Sequence, residues 1–292
     1  MKPAPFEYSR PSSVDEACAL LAADDGARII AGGQTLVPMM AMRLARPTRL
    51  VDIARIADLA FVRKDEAGVV IGAVTRQSVL ERHALVARHV PLLARALPWV
   101  GHAATRARGT IGGSLANADP AAEIPLVAAT LDAFLVWRAG DRVAEMPAAE
   151  FFTGPMMTAL PGNGCLLQVR FPVWGGRVGT GFHEISARRS DFAFASAAAQ
   201  VALDADGRCG RVALAVGAVT DVPVRLRRAE QALAGARWAD ASIAAAVHDD
   251  LRDVETSSDL HATADYRRRA AAALAIRAIT DAHAEATVRH AH

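Results

Sequence analysis

Residues 109–125 read GTIGGSLANADPAAEIP: three glycines, two hydroxyls and an Asp-Pro pair within one short segment. Glycine lets the main chain take positive φ and lets a ligand come close to the backbone. Gly112-Gly113 followed by Ser114 therefore reads as a turn that can point several N–H groups at one anion. The stretch AGGQTL, residues 31–36, repeats the chemistry: Gly32-Gly33 stand before Gln34 and Thr35, directly ahead of a helix-like segment whose N-terminal dipole adds to the attraction. One such turn is weak evidence, because ordinary tight turns share its composition. Two of them, neither completing GxxxxGK[ST] or GxGxxG, suggest a diphosphate held between two loops by a fold other than P-loop or Rossmann.

Working outward, SVDEACALLAA at 13–23 spaces Val14, Ala17, Leu20 and Leu21 as a helix, with Ser12 or Ser13 as the cap and Glu16 in the first turn. ARIIAGG then reads as a short strand ending in glycines, TLVPMMAMRLA as a helix and RLVDIARI as a second strand. GVVIGAVT repeats the idea as a strand ending at Thr75, a strand-terminal hydroxyl that could touch a ligand. Helical periodicity follows, broken at Pro91 and resumed to Leu97. After HAATRARG, helical or irregular, the second glycine segment reads as turn, helix and a strand at AFLVWR. Pro147 to Gly164 reads as loop, CLLQVRFPV as a strand, and Trp174-Gly175-Gly176 as a boundary. Beyond it, alternation and a turn at Asp204-Ala205-Asp206-Gly207 suggest an antiparallel meander, closed by alanine-rich helices near 226–253 and 262–287. The sum is an α+β protein with a first domain at 1–175, divided near residue 57, and a second domain at 176–292.

With 292 residues the chain has room for two cores. It contains no uninterrupted apolar run long enough to span a bilayer and no secretory signal pattern at MKPAPFEYSRPSS, so a cytoplasmic protein is expected. A net charge of +2, from 33 basic and 31 acidic residues, gives no overall pull toward nucleic acid. Cys18, Cys165 and Cys209 are far apart and form no CxxC pair. The nine histidines lack ligand spacing, and His248, His283, His290 and His292 fall in the polar C-terminal region. No metal or iron–sulfur cluster is expected on this chain.

AGGQTLVPMM, RPTRLVDI, IGAVTR and GTIGGSLANADPAAEIP, in this order, closely resemble the FAD-binding (medium) subunit of the molybdenum hydroxylases, the family of carbon monoxide dehydrogenase and xanthine dehydrogenase. LLQVRFP, RRSDFAFASAA and DYRRRAAAALAIRAI extend the resemblance over nearly the whole chain. It implies a two-part FAD-binding domain of the vanillyl-alcohol-oxidase/MurB type (PCMH-like), followed by a small C-terminal domain with a three-stranded antiparallel sheet and helices. It also implies that Ala31, Gly32, Gly33, Gln34, Thr35 and Leu36 carry the pyrophosphate of FAD. Thr110, Ile111, Gly112, Gly113 and Ser114 would share it, with Asn117 and Asp119 nearer the ribitol and isoalloxazine, although Asp119 before Pro120 equally suits an Asx-turn. Leu166 or Leu167 would lie against the ring and Phe192 would cover its other face.

No metal-ligand set, GxSxG elbow or obvious acid–base pair stands in the sequence, so the redox chemistry is assigned to the flavin. The resemblance implies a molybdopterin-binding large subunit and a [2Fe-2S] small subunit as partners, in a heterotrimer that doubles, with electrons leaving the flavin for a quinone, NAD or oxygen. A self-sufficient flavin oxidoreductase and an FAD-less scaffold subunit are the alternatives.

Overall fold

In a computed structural model that describes residues 2–288, the chain begins with β1 (Glu7–Ser9), α1 (Val14–Ala22), β2 (Arg28–Ile30), α2 (Leu36–Ala41) and β3 (Arg49–Asp52). His290 and His292 lie outside the described residues. The three strands form a parallel sheet in the order β1-β3-β2, and α1 packs against it through Ala17, Cys18 and Leu21. Ser13 caps α1 by accepting from Glu16 N, while the Glu16 carboxylate accepts from Ser12 N, so two end-of-helix groups satisfy each other.

The chain continues through β4 (Val62–Lys64), β5 (Val69–Gly72), α3 (Gln77–Leu80), α4 (Ala84–His89), α5 (Pro91–Ala96), α6 (Ala103–Arg108), α7 (Ile111–Asn117) and α8 (Glu123–Thr130). Then come β6 (Phe134–Ala139), β7 (Arg142–Pro147), α9 (Ala148–Phe151), β8 (Phe152–Gly154), β9 (Met157–Thr158) and β10 (Cys165–Phe171). β4-β5-β10-β6-β7 make an antiparallel five-stranded sheet. All four residues of β5 are buried, as expected of a strand covered on both faces. The strand expected to reach Thr75 stops at Gly72 instead: Ala73 N still reaches Leu167 O of β10 at 2.8 Å, but Thr75 N turns back to Gly72 O at 3.0 Å. The segment 147–164, expected as loop, carries α9 and the β8–β9 hairpin. α8 is buried from Ile124 to Thr130 and lies between the first unit and the sheet that follows.

That sheet is β11 (Arg177–Ser186), β12 (Ala193–Leu203), β13 (Cys209–Gly217) and β14 (Val224–Arg225), an antiparallel meander. The expected three strands gain a short fourth, β14, because Arg225 is held in place by Glu230 and Asp132. Helices α10 (Arg227–Leu233), α11 (Asp240–Arg252) and α12 (Ala264–Val288) follow. The single helix expected over 226–253 breaks at Gly235, whose φ is +73° and whose N–H leaves the helix for Cys209 O at 2.7 Å. On β11, a Cβ at Gly179 or Gly181 would overlap the α12 backbone at Ala282 and Ala278, so these glycines let the long helix lie directly on the sheet. Phe182, Ala198 and Ala215 of this sheet join the core of the first unit.

Candidate cofactor-binding site

A cavity of about 620 Å³ runs along the first unit and up to the loop before β12, a size within the range of small-molecule and cofactor pockets. Both glycine segments line it. They also touch: a Cβ built on Gly32 would lie 2.6 Å from Arg108 O and 2.8 Å from Gly109 Cα. Two stretches separated by more than seventy residues thus form one continuous wall of bare main chain.

The two segments differ in conformation. Gly33 takes φ +69°, a true left-handed turn position, and Gln34 Nε2 braces the turn by donating to Gly32 O at 3.1 Å. Thr35 opens α2 without making a side-chain cap bond, and its residue faces the cavity. Gly112, Gly113 and Ser114, read from sequence as a turn, instead form the first turn of α7, capped by Thr110. Their amides are already used: Ile111 N donates to Thr75 O (3.1 Å), Gly112 N to Ala73 O (2.9 Å), Gly113 N to Thr110 Oγ1 (3.1 Å) and Ser114 N to Thr110 O (3.2 Å). The expected cradle of free N–H groups is therefore absent from the second segment. What it supplies is a surface without side chains, the Ser114 hydroxyl and the Asn117 amide. Gly112 has a packing reason as well, since its Cβ would lie 2.6 Å from Ala73 Cβ and Ala73 O.

Ala31, Gly32, Gly33, Gln34, Thr35, Leu36, Thr110, Gly112, Gly113, Ser114, Asn117, Asp119, Leu166 and Phe192 all line the cavity. Thr75 and Ile111 do not. The Thr75 hydroxyl donates to Phe61 O at 3.0 Å, and Ile111 is fully buried in the core beneath α7. Leu166 lines the cavity while Leu167, at an irregularity in the pairing of β10 with β6, packs against the N-terminal core. Asp119 Oδ1 accepts from Ala121 N at 2.9 Å in an Asx-turn, and the residue lines the cavity. Phe192 is 75% exposed at the rim, beside an Arg188–Asp191 ion pair (3.0 Å) and Ser190 at φ +72°.

Several wall residues escaped the sequence reading. Gly109 and Glu123 stood inside the glycine-rich stretch without a distinguishing pattern. Gln77, His102, Thr105 and Leu160 reach the cavity only through the fold. Gln77 is buried and donates weakly to Thr110 O at 3.5 Å, occupying the space a Cβ on Gly109 would take. Arg106 holds the Val100–Gly101 carbonyls (3.2 and 2.9 Å) and Glu81 (2.9 Å), which fixes that side of the wall. Burial pushes the Glu123 carboxyl up to about 7, with Asp119 adding in the same direction and Arg106 opposing. Glu184, on β11, is pushed up to about 8 by burial and then by Glu123. The sequence had shown no such pair of acids, because Glu123 and Glu184 lie sixty-one positions apart. Among the described residues no group of His, Cys, Asp or Glu is arranged to hold a metal, and no helix is long and apolar enough to cross a membrane.

A long, partly apolar cleft with a side-chain-free wall in the middle suits an extended ligand with a compact charged centre. A Cβ on Gly32 would meet Arg108 O at 2.6 Å, and one on Gly113 would meet Thr110 Oγ1 at 2.8 Å, so neither position has room for a side chain. Comparison with known proteins agrees. Residues 4–174 match the family described as FAD binding domain in molybdopterin dehydrogenase, and residues 180–282 match the CO dehydrogenase flavoprotein C-terminal domain. The chain is 37% identical to the 6-hydroxypseudooxynicotine dehydrogenase complex subunit alpha of Paenarthrobacter nicotinovorans, covering 91% of this chain and 90% of the relative. It is 34% identical to the caffeine dehydrogenase subunit beta of a Pseudomonas species (strain CBB1), covering 97% and 96%. Among solved structures, a chain of quinoline 2-oxidoreductase from Pseudomonas putida 86 superposes with a TM-score of 0.93 at 35% identity, covering 98% of this chain and 99% of that one.

Proposed function

Because the chain belongs to the family of FAD-binding subunits of molybdopterin dehydrogenases, with FAD as its cofactor, we propose that it is the electron-transfer subunit of a molybdenum hydroxylase complex. In this reading it receives electrons from a [2Fe-2S] small subunit, after substrate oxidation in a molybdopterin-binding large subunit, and delivers them to an external acceptor. The complex would be a dimer of heterotrimers. A cytoplasmic setting is supported by three free, buried cysteines, as a reducing compartment favours. The relatives above are named for a pyridine derivative, a purine and a quinoline, which supports a nitrogen-containing aromatic ring as substrate of the complex.

The single observation that carries the proposal is the joint wall of Gly32-Gly33 and Gly109–Ser114 along one cavity. In it, Gly32, Gly33, Gln34 and Thr35 would hold the diphosphate of FAD, and Gly113, which has no side chain, and the Ser114 hydroxyl close the other side. Asn117 and Asp119 supply an amide and a carboxylate for the ribitol and the ring edge. Leu166 and Phe192 are the apolar surfaces for the ring. When bound, the flavin supplies the capacity to take electrons in pairs and pass them on singly, which no side chain has. The protein's part is to bind, orient and shield.

Purifying the chain with the subunits that accompany it, and recording the visible spectrum, tests the proposal. An oxidised-flavin band that bleaches on adding an N-heteroaromatic substrate is expected. A complex without flavin, or a chain that turns over substrate by itself, would overturn it.

A further inference from the structure

The wall around Gly32 and Gly33 holds little positive charge, although a diphosphate is a dianion. Among the described residues the cavity is lined by one guanidinium, Arg28, and by the carboxyls of Asp119, Glu123 and Asp191. Arg28 opens β2, four residues before Gly32, and its Nη1 donates to the carbonyls of Asp25 (3.0 Å) and Ala27 (2.7 Å) in the turn that precedes the strand. A diphosphate held there by hydrogen bonds alone would give up solvation of its charge with no cation to replace it.

Behind the wall the balance reverses. Arg76 donates through Nη1 to Arg108 O, and that same carbonyl oxygen lies 2.6 Å from a Cβ built on Gly32. One carbonyl therefore stands between the Arg76 guanidinium and Gly32. Neighbouring bonds fix the contact: Arg76 and Thr110 form an isolated antiparallel bridge, and Gln77 N donates to Gly109 O at 3.0 Å. Among the described residues neither Arg76 nor Arg108 forms an ion pair. The acid acting on Arg76 is Asp52, at the end of β3, and it is already engaged by the Tyr8 hydroxyl, by Ala54 N (2.9 Å) and by Arg10 (3.8 Å). Burial, and then Arg108, lower the Arg76 pKa from its ordinary value, yet a guanidinium keeps its proton in a protein. An anion seated at Gly32 would relieve that repulsion.

We propose that Arg76 is a positioning residue for FAD, supplying from behind Gly32 the positive charge that balances the diphosphate, with Arg108 adding to it. The inference rests on the cavity being the FAD site. Attraction of this kind needs no contact, and through protein it is screened less than through water. Arg76 has a second task in the same bond, since its grip on Arg108 O holds residues 108–110 against Gly32. Substitution separates the charge from the grip.

The test uses the chain purified with its partner subunits, stripped of FAD and titrated with FAD by flavin fluorescence. Arg76→Gln keeps a hydrogen-bond donor and loses the charge, and it is expected to bind FAD on the order of tenfold more weakly. Arg76→Lys keeps donor and charge and should stay within about threefold of wild type. Arg108→Gln removes an exposed charge and leaves the gripped carbonyl in place, so it should weaken FAD by about threefold with the fold undisturbed. A Lys variant as weak as the Gln variant would show that shape rather than charge matters, and overturns the inference. So does wild-type affinity in both neutral variants. Should Arg76→Gln fail to assemble, the Arg108→Gln titration decides, and unchanged affinity there overturns the inference. Wild type that takes up no FAD would overturn the reading of the cavity and this inference with it, whereas FAD bound equally by wild type and the neutral variants overturns the inference alone.

Discussion

Gly32 rests on Gly109: a Cβ on the former would lie 2.8 Å from the Cα of the latter and 2.6 Å from Arg108 O. Both neighbours are backbone, so neither can swing aside as a side chain would. Gly32→Ala should therefore push the two halves of the cavity wall apart. A loss of about 1–3 kcal/mol in unfolding free energy is expected, as for overpacking elsewhere, together with loss of FAD from the purified complex. Gly175→Ala, where nothing stands within 4 Å, is the control and should leave both unchanged. Equal behaviour of the two variants in a denaturant titration would contradict the close packing of the segments.

Gly33 calls for a different comparison, because its difficulty is conformational. At φ +69° an alanine costs about 1–2 kcal/mol, whereas asparagine tolerates the left-handed region better. Gly33→Asn should keep more flavin and a higher melting temperature than Gly33→Ala. The reverse order would show that the turn is not left-handed in solution.

Arg225 ties the second sheet to the first unit through Asp132 (2.9 Å) and Ala129 O (3.1 Å), and it also neutralises Glu230 at 2.6 Å. The Arg225 and Glu230 side chains are only 10% and 8% exposed. Arg225→Met leaves the buried Glu230 with only Leu214 N (2.8 Å) and the more distant Arg227 (3.5 Å) and should cost up to about 3–5 kcal/mol, whereas the double change Arg225→Met/Glu230→Gln should recover part of it. Denaturant midpoints measure both; no recovery in the double variant would mean that the arginine acts through packing alone.

The raised acids also set the direction of the pH dependence. Glu184 is pushed up in the folded protein to about 8 from an ordinary 4.5, so the fold binds its proton more tightly than the unfolded chain does. Its contribution is fully present below about pH 4.5 and is lost as pH rises through about 8. Glu123, raised to about 7, acts in the same sense. Stability measured from pH 5.5 to 8.5 should fall more steeply in wild type than in Glu184→Gln, as about one proton fewer is released. Identical slopes would place Glu184 in contact with water.

Much of the site was legible because its parts are local. The strand Arg28–Ile30, the left-handed Gly33 and the helix from Leu36 follow from residues adjacent in sequence, and so does the cap of Thr110 on the helix that begins at Ile111. The reading failed where one composition serves two conformations. Gly112-Gly113 signals an open backbone equally well in a turn or in a helix pressed against Ala73, and the amides expected to be free are bonded. Thr75 looked like a ligand hydroxyl because nothing local reveals that Phe61 O receives its proton.

The sequence by itself determined the first helix and its cap, the short strands and helix around the first glycine pair, and the glycine positions, since propensity and capping are written in neighbouring residues, while the order of its motifs carried the resemblance to the family. Only the tertiary structure decided that Gly32 meets Gly109, that both carboxyl oxygens of Glu184 are buried without a partner, and that Arg225 locks one unit to the other. Each of these joins residues far apart in the chain, and burial and electrostatic partnership belong to the space between elements, which short-range pattern does not encode.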